Sequence, residues 1–305
     1  MAFLPVRIGT LRPGAPVRFD VHILVAEKYV HYIRSADTFD PDRIERLRSK
    51  GVKKLYIPEE SEPAYLAYLD AGLEDLSNKN LPIEERSSLV GSAIVTDAEN
   101  ALHNCETEQG YHRTEDRIGK VVSFLTSEDG ALKNILASTG CALDNFQHAA
   151  NVTSLALGLA NRLGITSARD LLDLGIAGLL HDTALTNLGF GADVQPESLS
   201  VAELKQYQKH PTEVAHLLAG KPYINRNILE LIANHEEIGE GAGFPQKKRL
   251  STLPLSSQVL NLCDAYDHFA SVQKMAPLDA AKKFFSDKIG FFDLAHIREL
   301  SALLK

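Results

Sequence analysis

Two hydrophobic periods divide the chain. Near the N-terminus, V-R-F-D-V-H-I-L-V (17–25) sets Val17, Phe19, Val21, Ile23 and Val25 at every second position, the period of a half-buried strand. K-Y-V-H-Y-I (28–33) is placed to be its hairpin partner. D-P-D-R-I-E-R-L-R-S-K-G (40–51) then gives a helix signal, with Asp40 as N-cap, Pro41 at the first helical position and Gly51 beyond the end. V-K-K-L-Y-I (52–57) returns to strand, and 62–76 reads as helix. From 83 to 139 the chain is helical in propensity but polar and weakly patterned, as in E-E-R-S-S-L-V-G-S-A-I-V. Beyond it the helical period predicts five helices, at 142–163, 168–181, 201–220, 224–237 and 254–273. Ser200 with Glu203 has the spacing of a capping box at the start of the third. The expected fold class is α+β. A small α/β regulatory domain (1–80) precedes a helical connector (81–139) and an all-α domain (140–305).

Composition narrows the class. The 305 residues are 44% hydrophobic and 24% charged, which fits an ordinary globular protein of about two domains. No segment approaches the ~18–20 apolar residues of a membrane span, so a cytoplasmic chain without membrane insertion is expected. The three cysteines, Cys105, Cys141 and Cys263, are scattered and never paired as C-x-x-C, which argues against a disulfide framework or a thiolate zinc site. A net charge of −8 without a basic run makes duplex nucleic acid a poor partner. A small anion is still admissible where metal cations supply the positive charge.

Each of the five expected helices carries a potential ligand on or beside its apolar face. His148 follows Asp144 by four residues, and His181-Asp182 closes the second helix. His210 precedes Pro211, His235 follows Ile228, Leu231 and Ile232 on the buried side, and Asp264 lies among Leu260, Leu262 and Cys263. Singly, each has a bland explanation: a surface pair, a turn, a helix boundary, a hydrogen-bonded core group. An imidazole or carboxylate facing a core is costly unless paired or metal-bound, so five such helices together suggest one shared site. Imidazole with carboxylate and no thiolate suits iron, manganese or zinc. Six or more candidate ligands favour two cations over one, held ~3.5–4 Å apart by a bridging carboxylate.

The ordered set H-D (181–182), K-H-P (209–211), N-H-E-E-I-G-E-G-A-G-F-P (234–245) and L-C-D-A-Y-D (262–267) resembles the HD-GYP family of the HD superfamily. The resemblance covers roughly 140–300 and implies an all-α HD-type bundle that cleaves cyclic di-GMP. It implies one metal on His148, His181 and Asp264, and a second on His210 and His235, with Asp182 bridging. Glu236 stands where the family has a second histidine. Asp144 matches the position of an occasional extra ligand. The resemblance implies two divalent ions, iron first, with manganese or zinc as alternatives.

Several positions depart from the family pattern. The signature tyrosine is Phe244, in Gly243-Phe244-Pro245, and a phosphate-facing lysine is replaced by Leu185, after Ala184. Expected arginines align with Gln258 and Gln273, although Lys274 adjoins the latter. Gly243, Phe244 and Lys274 are the expected substrate contacts, with G-E-G-A-G-F (239–244) either a flexible loop at the pocket mouth or a plain helix-ending loop. Lys247, Lys248 and Arg249 are either anion contacts or solvated cations. The expected function is a dinuclear phosphodiesterase working through a metal-activated hydroxide, with Asp182 central to water activation. The alternative is a weakly active or inactive metal-bound module that senses the cyclic dinucleotide or binds a signalling protein.

Overall fold

The computed structural model describes residues 2–140 and 144–305, in two compact units, Met1–Thr96 and Asp97–Lys305. Cys141 and the start of the first predicted C-terminal helix lie outside the described residues.

The first unit is built on a four-stranded antiparallel sheet, β1 (Phe3–Arg7), β2 (Val21–Val25), β3 (Lys28–Ile33) and β4 (Lys54–Pro58), in the order β1-β4-β2-β3. The predicted strand at 17–25 is shorter than its alternation. Val17 and Phe19 are buried but precede the ladder, and Ala26 and Glu27, both with positive φ, turn the chain into β3. β1 was not expected from the pattern. Its Pro5 has no N–H for a ladder, which an edge strand tolerates. Helix α1 (Pro41–Ser49) starts as its sequence predicts, with the Asp40 carboxylate accepting from Arg43 N at 2.7 Å. Helix α2 (Glu62–Glu74) adds Tyr65 and Tyr68 to a core containing Phe19, Phe39, Leu55 and Ile57. Helix α3 (Ile83–Glu99) follows.

The second unit is helical: α4 (Ala101–Asn104), α5 (Glu108–Ser127), α6 (Ala131–Thr139), α7 (Asn145–Arg162), α8 (Ala168–Leu180), α9 (Val201–Tyr207), α10 (His210–Leu218), α11 (Arg226–Ala233), α12 (Leu255–Gln273), α13 (Pro277–Asp287) and α14 (Leu294–Leu303). Helix α7 is buried almost all round and packs against α6, α8, α12 and α14. The weak pattern over 83–139 conceals a packed helix, since α5 buries Tyr111, Ile118, Val121 and Phe124 and lies against α8. Close approach of α8 to α7 depends on Gly178, where an added Cβ would lie 3.0 Å from Thr153 Oγ1 and 3.1 Å from its Cα.

Two predicted boundaries need correction. The expected helix at 201–220 is two helices, because Pro211 lacks the N–H that would bond the Tyr207 carbonyl. The helix expected at 224–237 ends at Ala233, so His235 lies past its end instead of on its face. The capping box at Ser200 and Glu203 is present. Among the described residues no helix is long and apolar enough to cross a membrane, and Cys105 and Cys263 are buried free thiols.

Candidate metal centre

Helix ends explain how the histidines are aimed. The last carbonyls of an α-helix have no intrahelical donor, and three histidines each take the carbonyl three residues back. His181 Nδ1 is 2.8 Å from Gly178 O, His210 Nδ1 is 2.8 Å from Tyr207 O, and His235 Nδ1 is 2.7 Å from Ile232 O. A carbonyl only accepts, so each Nδ1 carries a hydrogen and each ring turns its Nε2 inward, where the neutral form offers a lone pair. His148 lies in the first turn of α7 and uses a carboxylate instead, its Nδ1 2.8 Å from Asp267 Oδ2. Asn151 Nδ2 donates to the other Asp267 oxygen at 3.0 Å, while its carbonyl accepts from Thr139 at 2.6 Å.

The four Nε2 atoms converge in two pairs. His148 and His181 approach to 3.4 Å, and His210 and His235 to 2.9 Å. Lone pairs at that separation repel unless a cation lies between or beside them. Asp182 faces both pairs. Its Oδ2 is 3.6 Å from His148 and 3.5 Å from His181, and its Oδ1 is 3.3 Å from His210 and 3.4 Å from His235. Asp264 Oδ1 lies 3.1 Å from His148 and 3.6 Å from His181, and Glu236 Oε1 lies 3.7 Å from His210. Three overlapping sets have donor atoms within 4.8 Å of one another: His148, His181, Asp182 and Asp264; Asp182, His210 and His235; and His235, Glu236 and Asp264. All seven expected ligands therefore meet in one place. The mixed nitrogen and oxygen set fits a borderline or hard divalent cation.

Electrostatics follow from this crowding. Burial would raise the Asp182 and Asp264 carboxyls, but His181, His235 and His210 outweigh it at Asp182, and His148 and His181 at Asp264. Both are held below the usual carboxylate range. With protons as the only cations, burial pushes His210 down to about 4. His235 is equally buried yet lifted to about 9 by its bond to Asp182 and the charge of Asp264. Burial and Asp264 lift Glu236 to about 7, against the Tyr207 hydrogen bond.

The cluster opens into a cavity of about 300 Å³ lined by His148, Asp182, Tyr207, Glu236 and Asp264, by Leu185, Val194, Phe244, Phe269 and Phe292, and by Glu197, Gln273 and Lys288 among others. Gly243 also lines it, in a spot where a Cβ would come within 2.2 Å of Glu236 O, so only glycine lets the loop lie against that backbone. Glu237 fastens the same loop, its two oxygens accepting from Gln246 N (2.7 Å) and Lys248 N (2.8 Å). Lys248 Nζ bonds Asn234 Oδ1 at 2.8 Å, and Arg249 pairs with Glu240. Asp144 is the N-cap of α7, accepting from Phe146 N and Gln147 N. Lys274 is the exposed C-cap of α12 and is not among the described residues lining the cavity. Gln258 bonds Leu253 O and is likewise not among them.

Sequence reasoning missed Tyr207, Asp267, Glu237 and Lys288. Asp267 had a signal, since it follows Asp264 by three residues and shares its helix face. Tyr207 had none beyond its place in the apolar period.

Comparison with known proteins agrees with this geometry. The HD domain family model matches residues 130–283. The cyclic di-GMP phosphodiesterase PA4108 of Pseudomonas aeruginosa is 21% identical over 244 residues, 75% of this chain and 58% of that protein. The cyclic di-GMP phosphodiesterase response regulator RpfG of Xanthomonas campestris pv. campestris is 22% identical over 227 residues, 70% of this chain and 56% of that protein. The alignments thus span little more than half of each relative. Bd1817, a HDG"Y"P protein from Bdellovibrio bacteriovorus, superposes with a TM-score of 0.81 at 26% identity, covering 99% of both chains. The chain belongs to the HD domain family, in its HD-GYP branch.

Proposed function

We propose that the chain is a phosphodiesterase that uses two metal ions in this cluster to hydrolyse cyclic di-GMP. The observation that carries the reading is the division of Asp182, whose two oxygens face different histidine pairs. His148, His181 and Asp264 would hold one cation, and His210, His235 and Glu236 the other, with Asp182 between them. Iron is the first candidate, and manganese or zinc suits the same donors. The bound cations would supply Lewis-acid charge for the phosphoryl oxygens and lower the pKa of water enough to make a nucleophile at neutral pH.

The chain's own part is preorganisation. The carbonyls of Gly178, Tyr207 and Ile232 and the carboxylate of Asp267 keep four Nε2 atoms facing inward before anything binds. Leu185, Phe244 and Phe292 make the adjoining wall apolar, which strengthens charge interactions at the floor. Gly243 and Phe244 would contact the dinucleotide, with Lys288 the cation on the cavity wall. Both aligned relatives are named as cyclic di-GMP phosphodiesterases, which supports cyclic di-GMP as the substrate.

Protein loaded with iron or manganese, beside an Asp182→Ala variant, is incubated with cyclic di-GMP while metal content is measured in both. Linear dinucleotide formed by the parent and reduced more than ~100-fold in the variant is the expected result. A parent chain that takes up no metal would overturn the reading. A second reading is favoured by Leu185, which is buried in the wall where a cation would meet phosphate. On that reading the chain binds the dinucleotide and turns it over slowly or not at all. Stoichiometric metal, calorimetric binding and no product would select it.

A further inference from the structure

We infer that Tyr207 is the positioning residue of the His210, His235 and Glu236 half of the centre, fixing two of its donors at once. The inference rests on the two-metal reading above. Tyr207 closes α9, and its backbone and side chain act on different partners. Its carbonyl, deprived of a helical donor by Pro211, accepts from His210 Nδ1 at 2.8 Å. Its phenol donates to Glu236 Oε1 at 2.7 Å. The ring is 6% exposed and is held by Phe190, His210 and Phe244, with centroids 5.7, 4.9 and 5.8 Å away. It therefore cannot swing away from either partner without unpacking the wall.

Glu236 is the donor that most needs such an anchor. Its side chain turns about three bonds and is 21% exposed, whereas the four histidine side chains are 0–4% exposed and each ring is fixed through Nδ1. A carboxylate free to turn would spend rotamer entropy on each binding event. The phenol removes that freedom in advance, as an outer hydrogen-bond partner does for a metal ligand.

The test uses full-length protein, Mn²⁺ as the probe, and equilibrium dialysis with electron paramagnetic resonance of the bound ions. Tyr207→Phe deletes one oxygen and keeps both the ring and the carbonyl. The parent is expected to take two equivalents and give an exchange-coupled spectrum. Tyr207→Phe is expected to keep the first equivalent, bind the second ~10–100-fold more weakly and lose the coupled signal at subsaturating Mn²⁺. The same change made in Glu236→Ala protein is expected to cost nothing further, because the phenol acts through that carboxylate. Parent-like binding of the second ion by Tyr207→Phe would overturn the inference, as would an equal loss in both backgrounds, the signature of a merely structural ring. A parent chain that binds fewer than two equivalents would instead overturn the two-metal reading, and the inference with it.

Discussion

The floor and the wall of the cavity at the metal cluster follow opposite rules. On the floor, every imidazole is held through Nδ1 by a carbonyl or carboxylate at 2.7–2.8 Å, and Asp182 and Asp264 lie against the freed Nε2 atoms. On the wall, Leu185, Phe244 and Gln273 stand where the family resemblance leads one to expect a lysine, a tyrosine and an arginine. The difference reflects what each ligand demands. A metal ion needs donors fixed in direction to within a fraction of an ångström, so losing one anchor is felt at once. A flexible polyanion meets charge that can come from several directions, so its contacts are exchangeable. Floor changes should therefore act on metal content, and wall changes on substrate affinity.

The largest expected effect is on the floor. His181→Ala and Asp264→Ala should each weaken one equivalent of Mn²⁺ by more than ~100-fold and leave the other measurable by dialysis. Loss of both equivalents together would show that the halves are not separable. The next effect is on pH. His235 in the metal-free chain is raised to about 9, so below that value its proton must leave before metal binds. Affinity of the His210 and His235 half for Mn²⁺ should then rise about tenfold per pH unit from 7 to 9, with one proton released into a weakly buffered solution. It should rise more steeply below 7, where Glu236, lifted to about 7, also holds a proton. Despite burial, Asp264 and Asp267 hold His148 well above its ordinary value, so it must likewise shed a proton before the other half fills. A flat profile would break the link between the cluster and the ion.

Smaller effects belong to the wall. Leu185→Lys should tighten cyclic di-GMP about tenfold by calorimetry, worth roughly 1.4 kcal/mol, and leave metal stoichiometry unchanged. Lys288→Ala should weaken the same ligand by about fivefold and flatten its salt dependence, a modest change because the side chain is half-buried. A change in metal content in either variant would erase the distinction between floor and wall.

Much of this was legible in the sequence because the signals are local. Asp40 with Pro41, and Ser200 with Glu203, announce helix starts through contacts three residues apart. The His and Asp positions were legible as a set, since each interrupts an apolar run. What could not be read were contacts made across the fold. Asp267 reaches His148 across 119 positions and Tyr207 reaches Glu236 across 29. Helix ends were misjudged at His235 and Pro211 because the apolar period continues past the point where the backbone stops being helical. The edge strand at Phe3–Arg7 was hidden by its proline, and α13 and α14 were not anticipated at all.

Pro211 places a trade-off between function and robustness in a single absent hydrogen. Gln208 and Lys209 already have helix-like backbone angles between α9 and α10. An alanine at 211 would offer the N–H needed to join the two helices, adding a backbone hydrogen bond worth about 1 kcal/mol. The same N–H would compete for the Tyr207 carbonyl and leave the His210 ring free to rotate. A screen for thermal resistance would thus select the substitution that a screen for metal retention rejects.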